Sequence, residues 1–119
     1  MSWNGKEKRR FVRAKFPCKI IVNTPEEYTI VSHTEDIGTG GIRVIIPDKL
    51  NISSIVGFEI FLKNGGIKGK GRVVWVVNKG NSLFGDGIVF DTGVEFIEIS
   101  EEDRRVVDNF VESVISSKK

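Results

Sequence analysis

Hydrophobic side chains recur at every second position along most of this chain, and such alternation predicts β-strands. In residues 27–36, for example, Ile30 and Thr34 fall on one side of an extended backbone, while Val31 and His33 fall on the other. β-Branched residues dominate these runs, which favours strands over helices. The pattern predicts six strands, at residues 16–23, 27–36, 41–46, 56–63, 67–78 and 88–97.

Turn-forming residues separate the predicted strands. Asn64-Gly65-Gly66 stands between two apolar runs, which predicts a tight hairpin there. A glycine-rich stretch at residues 80–87 predicts a loop before the last strand. Short antiparallel strands favour a small closed barrel, because closure leaves no strand edge open to another chain.

The period of the pattern changes after Ser100. Ser100 is followed by three acidic residues, which is typical of a helix start because the hydroxyl caps the first turn and the acids complement the helix dipole. Apolar residues then recur at helical spacing, at Val106, Val107, Phe110, Val111, Val114 and Ile115. We therefore expect an all-β fold, a six-stranded antiparallel barrel, with one C-terminal helix over about residues 100–115 that packs on the barrel.

The bulk composition fits one globular domain of 119 residues, of which 39% are hydrophobic and 29% are charged. No apolar run approaches the roughly 18 residues of a membrane span, and the first ten residues lack the apolar stretch of a signal peptide. We therefore expect a cytoplasmic protein, of a kind typical of bacteria, with no membrane association. The single cysteine, Cys18, excludes an internal disulfide, and we expect it to be a small buried hydrophobe.

The net charge of +2 conceals a strong asymmetry along the chain. Residues 6–15 carry six basic residues against one acidic residue, whereas the rest of the chain carries 12 basic and 15 acidic residues. This division predicts a flexible basic arm at residues 1–15 and a single folded domain at residues 16–119. Because the cations are not spread over a whole face, the arm indicates a local anion site and not a general nucleic-acid surface.

Signals for catalysis and metal binding are absent from the sequence. The only histidine, His33, has no partner ligands in the sequence pattern, so we expect neither a metal site nor a catalytic triad. No phosphate-binding glycine loop follows a predicted strand and opens a helix. We therefore expect no enzymatic activity, no metal and no cofactor.

Two stretches suit a ligand that contains guanine and phosphate. In the first, Arg9, Arg10 and Arg13 can offer several planar guanidinium groups to phosphates or to the O6/N7 edge of guanine. The second is Asp36-Ile37-Gly38-Thr39-Gly40-Gly41, where glycines allow a tight turn and close approach of a ligand to the backbone. The carboxylate of Asp36 can accept from guanine N1–H and N2–H or cap its own turn.

The sequence resembles the PilZ domain family over almost its whole length. "EKRRFVR" is similar to the family's RxxxR arm, "DIGTGGIRV" to its [D/N]xSxxG motif, "GRVVW" to a mid-domain strand, and "GVEFIEISEEDRRVVDNFV" to its last strand and helix. The resemblance implies a split barrel of six antiparallel strands and a receptor for cyclic di-GMP. It also implies ligand contacts from Arg9 and Arg13, with Arg10 between them, and from the turn that begins at Asp36 and ends at Gly41.

Two positions of the resemblance leave alternatives open. Gly38 stands where the family has serine, and the lost hydrogen bond corresponds to about 0.5–1.5 kcal/mol, or about a few-fold to tenfold in affinity. Trp75 aligns with an aromatic position near the ligand in some members, where stacking on a purine is worth about 1–3 kcal/mol. Its alternation with Val73 and Val77 favours a core position equally.

Three functional hypotheses follow. The first is a cyclic di-GMP receptor that signals to a downstream protein partner when its arm becomes ordered. The second, motivated by Gly38, is a module of the same fold that binds a protein without nucleotide. The third is a nucleic-acid binder, which is disfavoured because such a surface needs exposed aromatic residues interleaved with cations, and most of the eight phenylalanines fall at apolar strand or helix positions.

Overall fold

The computed structural model describes residues 13–81 and 87–117. Along the chain, these residues form β1 (Arg13–Ala14), β2 (Lys19–Asn23), β3 (Thr29–Gly38), β4 (Gly41–Ile46), β5 (Ile55–Leu62), β6 (Gly65–Asn81), β7 (Ile88–Ile99) and α1 (Glu101–Ser117). The six longer strands are close to the six that the alternation predicts. The additional strand, β1, lies within the segment that the sequence assigns to the arm.

The six longer strands form a closed antiparallel barrel. The strands are ordered β1-β3-β2-β5-β6-β7-β4, and a further pairing between β3 and β4 closes the sheet. Strand β1 pairs only with the end of β3, so it is added outside the closed ring. Inward side chains of all the barrel strands and the apolar side of α1 form one hydrophobic core. The fold class predicted from the sequence is confirmed.

Strand β3 changes partners midway along its length. Its first half pairs with β2 and its second half with β4, with a register shift between Thr34 and Asp36. The buried hydroxyl of Thr34 lies where the partners change, and there it donates to the carbonyl of Phe16 at 3.1 Å and accepts from the backbone N–H of Cys18 at 3.0 Å. Residues 16–18, predicted as strand, are therefore held by a side chain, and β2 begins at Lys19.

Helix α1 begins as the sequence predicts. The Ser100 hydroxyl accepts from the backbone N–H of Asp103 at 3.0 Å, which satisfies one of the free donors of the first turn. The apolar side of the helix packs against β1, β3 and β6. Its central residue Phe110 is 2% exposed and meets Phe16 edge-on, with ring centroids 5.5 Å apart. The segment that follows β1 is thus fastened to both the barrel and the helix.

Two details of the predicted strands are wrong. The β5–β6 hairpin turns at Lys63 and Asn64, with Leu62 paired to Gly65, so both glycines of the predicted turn belong to β6. The alternation over residues 88–97 places Ile88 on the same side as Val94 and Phe96, which are buried, but Ile88 is 47% exposed. The pairing of β4 with β7 stops at Phe90, so the hairpin of β6 and β7 extends past the barrel there.

Candidate functional site

Strand β1 brings the last arginine of the arm beside the glycine turn. Arg13 is the backbone partner of Gly38, and Ala14 is the partner of Ile37. Two motifs that are more than 20 residues apart in sequence therefore adjoin at one strand pair. Arg9 and Arg10 lie outside the described residues.

The turn between β3 and β4 is held tightly, and its last glycine is required by packing. A Cβ atom at Gly41 would overlap the carbonyl oxygen of Val94, so only glycine allows β4 to approach β7 this closely. The Gly40 carbonyl accepts from the backbone N–H of Phe96 at 2.9 Å. The Arg104 guanidinium of α1 donates to the Thr39 carbonyl at 3.3 Å. The turn is therefore fixed from both β7 and the helix.

The carboxylate of Asp36 is largely shielded and lies near a cation of the barrel. Its side chain is 9% exposed, and its Oδ2 lies 3.6 Å from Nη1 of Arg43. Asp36 and Arg43 are backbone partners across β3 and β4, directly after the register shift at Thr34. The strand pairing therefore places an acceptor and a donor group side by side next to the glycine turn.

Arg43 is fixed by a second carboxylate, that of Asp91. Nε and Nη2 of Arg43 donate to Oδ1 and Oδ2 of Asp91 at 2.8 and 2.9 Å, which is the bidentate geometry of a strong charge-assisted pair. Register places the two residues diagonally, since Arg43 pairs with Gly93 and Asp91 with Ile45. The hydrogen bonds to Asp91 raise the pKa of Arg43 above its usual value, so this guanidinium stays charged at any ordinary pH.

Trp75 lies on the outside of the barrel because a β-bulge interrupts β6. Val73 pairs with Val94 and Trp75 pairs with Gly93, so Val74 is an extra residue that reverses the alternation. The indole is 38% exposed and lies over Gly93, where a Cβ atom would overlap the ring. The core alternative for Trp75 is therefore wrong.

Four adjacent strands place these residues in one row across the barrel. Asp36 pairs with Arg43, Arg43 with Gly93, and Gly93 with Trp75. Cross-strand partners have their side chains on the same face of a sheet. The predicted residues Asp36, Gly38, Gly41 and Trp75 and the backbone of Arg13 are thus gathered on one region of the barrel wall.

Sequence reasoning missed three residues of this region: Arg43, Asp91 and Gly93. A signal for the first two exists, because each is a lone charged residue within a run of β-branched and aromatic residues. The pair is separated by 48 positions, however, so their contact depends on the pairing of β4 with β7. Gly93 is distinguished only by the ring that covers it.

The described part of the chain contains neither a cluster of metal ligands nor a helix that could cross a membrane. Among residues 13–81 and 87–117, no cluster of three or more histidine, cysteine, aspartate or glutamate side chains could hold a metal ion. Within the same ranges, no helix has the length and apolar character to cross a membrane. Burial raises the pKa of the Cys18 thiol, which keeps this thiol in its neutral form.

The architecture is that of a small antiparallel barrel with a C-terminal helix and a polar row beside a glycine turn. The family model of the PilZ domain matches residues 7–113. This chain therefore belongs to the PilZ domain family. Among curated proteins, no match to the sequence was found.

Solved structures share the fold at low sequence identity. The PilZ domain of Escherichia coli YcgR with c-di-GMP has a TM-score of 0.67 and 13% identity, over 93% of this chain and 94% of that one. Bacillus subtilis inhibitor of motility, MotI/DgrA, has a TM-score of 0.74 and 19% identity, over 93% of this chain and 53% of that one. The apo MrkH of K. pneumonia has a TM-score of 0.78 and 13% identity, over 99% of this chain and 55% of that one. The chain spans about half the length of MotI and MrkH.

Proposed function

We propose that this chain is a cyclic di-GMP receptor of the bacterial cytoplasm, without catalytic activity. The observation that carries the proposal is the pairing of Arg13 with Gly38, which joins the arginine motif to the aspartate–glycine turn. Membership of the PilZ family supports it. So does the shared fold of the YcgR domain, a structure with c-di-GMP.

Each residue of the proposed site has a role that follows from its chemistry. Arg9, Arg10 and Arg13 bind the phosphates and the guanine O6/N7 edges through their planar forks. Asp36 accepts from guanine N1–H and N2–H. Gly38 and Gly41 let the ligand and neighbouring strands approach the turn. Trp75 stacks on a base from the outer face of β6.

The proposed signal is the ordering of the arm on ligand binding. Fixing a flexible segment costs conformational free energy, which charge-assisted contacts to the ligand offset. The closed arm presents a different surface to a downstream protein.

A second candidate function is favoured by one residue, Gly38. Its missing hydroxyl removes a ligand hydrogen bond that the family's serine can supply, so a PilZ domain that binds a protein without nucleotide is the alternative. The two functions differ in one observable. The alternative requires that a partner is bound equally well with and without cyclic di-GMP.

Isothermal titration with cyclic di-GMP tests the proposal, with GMP as the control ligand. We expect saturable heat with cyclic di-GMP and much weaker binding of GMP, which lacks the second guanine. Amide resonances of Arg13, Asp36 and Gly38 should shift over the same range of ligand concentration. The absence of both heat and shifts at high micromolar cyclic di-GMP would contradict the receptor function.

A further inference from the structure

We propose that Arg43 is a further residue of the ligand site: it positions the carboxylate of Asp36 toward the guanine edge and is itself held by Asp91. The inference rests on the proposed function. It adds to the site two residues that have no place in the arginine motif or among the named positions of the aspartate–glycine motif.

The guanidinium of Arg43 is held rigidly by Asp91. Its two hydrogen bonds to Asp91, at 2.8 and 2.9 Å, fix the plane of the guanidinium as well as its position. The side chain of Asp91 is 9% exposed and that of Arg43 is 31% exposed. Solvent therefore competes little on the Asp91 side, while part of Arg43 remains open toward the outer face. A lysine has no planar fork and cannot reproduce this arrangement.

The fixed charge of Arg43 influences the direction in which the Asp36 carboxylate points. To accept both N1–H and N2–H of one guanine, the two carboxylate oxygens must face the base edge together. Arg43 lies 3.6 Å from Oδ2 of Asp36, so its charge restrains the direction of this carboxylate. Because Arg43 is the backbone partner of Asp36, the restraint does not depend on the arm.

Arg43 also balances negative charge beside the proposed site. Asp36 and Asp91 are two carboxylates on the same region of the wall, and a ligand with two phosphates would be repelled by them. Arg43 contacts both, at 3.6 and 2.8 Å, and so offsets their repulsion of the ligand. This positive charge is part of the barrel, and no ordering of the arm is needed to supply it.

Titration with two ligands tests the positioning role. Cyclic di-IMP has the same phosphate ring as cyclic di-GMP but lacks the exocyclic 2-amino group that Asp36 accepts from. We expect the protein to prefer cyclic di-GMP. Arg43→Gln, Arg43→Lys and Asp91→Asn should each weaken cyclic di-GMP binding about tenfold and reduce this preference, because a misdirected Asp36 no longer distinguishes the two bases.

Lys70→Gln is the matched control, since it removes one positive charge from an exposed ion pair on another part of the barrel. It should leave both the affinity and the preference unchanged. Thermal melts followed by circular dichroism establish that each variant is folded. If Arg43→Gln does not fold, Arg43→Lys and Asp91→Asn decide the question, because both keep similar size at the site.

The titrations distinguish a failure of the proposed receptor function from a failure of the proposed role of Arg43. If the unmodified protein binds no cyclic di-GMP, the proposed function fails and the role of Arg43 fails with it. If the protein binds but folded Arg43 and Asp91 variants keep its affinity and preference, only the inference is overturned. Weaker binding with an unchanged preference also overturns it, because Arg43 would then act as a general charge without positioning Asp36.

Discussion

Two faces of the same barrel carry similar residue types in different arrangements. We call one the site face, defined by Asp36, Arg43, Trp75, Asp91 and Gly93, and the other the back face, defined by Gly57, Lys68, Gly69, Lys70 and Glu98. On the site face, Arg43 and Asp91 are bound in bidentate geometry with side-chain exposures of 31% and 9%. On the back face, Lys70 and Glu98 are 4.0 Å apart with exposures of 61% and 72%. Only the first pair has a fixed geometry.

Two outward-facing glycines, Gly93 on the site face and Gly57 on the back face, also differ in how tightly they are covered. The space above Gly93 is filled by the indole of Trp75. A Cβ atom at Gly57 would fit without overlap, since its nearest neighbours are Asn23 side-chain atoms at 3.6 Å. Gly57 belongs to a groove of about 570 Å³ that Lys68, Lys70 and Glu98 also line. We infer that charged residues and glycines form a candidate site where neighbouring side chains hold them in place.

The largest difference should come from removing two charges of the proposed arginine motif and, separately, two charges of the back face. Replacing Arg9 and Arg13 together with alanine should weaken cyclic di-GMP binding by at least about a hundredfold, since each charge-assisted contact contributes about 1.5–3 kcal/mol. Replacing Lys68 and Lys70 together with alanine also removes two positive charges, but from the back face. It should change the affinity by less than about threefold, because exposed charges contribute little. Calorimetry at one fixed salt concentration measures both. Equal losses would mean that the protein attracts the ligand by net charge alone.

The next largest effect should come from filling the space above one glycine. Gly93→Ala displaces the indole of Trp75 and should weaken binding about tenfold, in line with a stacking contribution of about 1–3 kcal/mol. Gly57→Ala is the control on the back face, since its nearest neighbour is the Asn23 side chain at 3.6 Å. In a Trp3→Phe background, the fluorescence of Trp75 should change with Gly93→Ala and stay the same with Gly57→Ala.

A double variant identifies the cause of that effect. If Gly93 acts through Trp75, Gly93→Ala should cause no further loss of affinity once Trp75 is replaced with alanine. Additive losses would show that Gly93 influences the ligand by another route.

The third difference concerns stability. Asp91→Asn should lower the free energy of unfolding by about 1–2 kcal/mol, because it weakens two charge-assisted hydrogen bonds in a shielded position. Glu98→Gln, in the exposed pair, should lower it by less than about 0.5 kcal/mol. Urea denaturation of both variants measures the difference. A similar small effect from both would mean that the shielding of Asp91 adds nothing.

The smallest predicted effect is a gain. Gly38→Ser restores the hydroxyl of the family motif and should strengthen binding by a few-fold to tenfold, or about 0.5–1.5 kcal/mol. Gly40→Ser is a suitable control, because no atom lies within 4 Å of an added Cβ there. Titration calorimetry measures both. A weaker complex with Gly38→Ser would indicate that the strand pair with Arg13 has no room for the side chain.

Local patterns predicted most of the fold. Alternation identified the six long strands because each buries one face in the core, and Ser100 identified the start of the helix because capping depends on neighbouring residues. The same rule failed at Trp75, where one extra residue in β6 reverses the alternation. It also failed at Ile88, where the strand extends past its second neighbour. Both features depend on the partner strand and have no local signal here.

The candidate site was predicted only in part. The turn from Asp36 to Gly41 is a continuous motif, so it could be recognised without knowing the fold. The contact between Arg43 and Asp91 joins residues 48 positions apart, and it appears only when the register of β4 and β7 is known. What sequence reasoning lacked was therefore the pairing of strands, which a motif does not contain.

The anchoring of residues 16–18 by Thr34 and Phe110 fixes the point from which the chain runs back to the proposed binding arginines. A chain spans at most about 3.3–3.6 Å per residue, so the Cα atom of Arg9 stays within roughly 14 Å of that of Arg13. A tether this short keeps a binding group at an effective concentration on the order of millimolar or higher. For the proposed site, the anchor would therefore supply guanidinium groups at an effective concentration that free guanidinium in solution reaches only at millimolar levels or above.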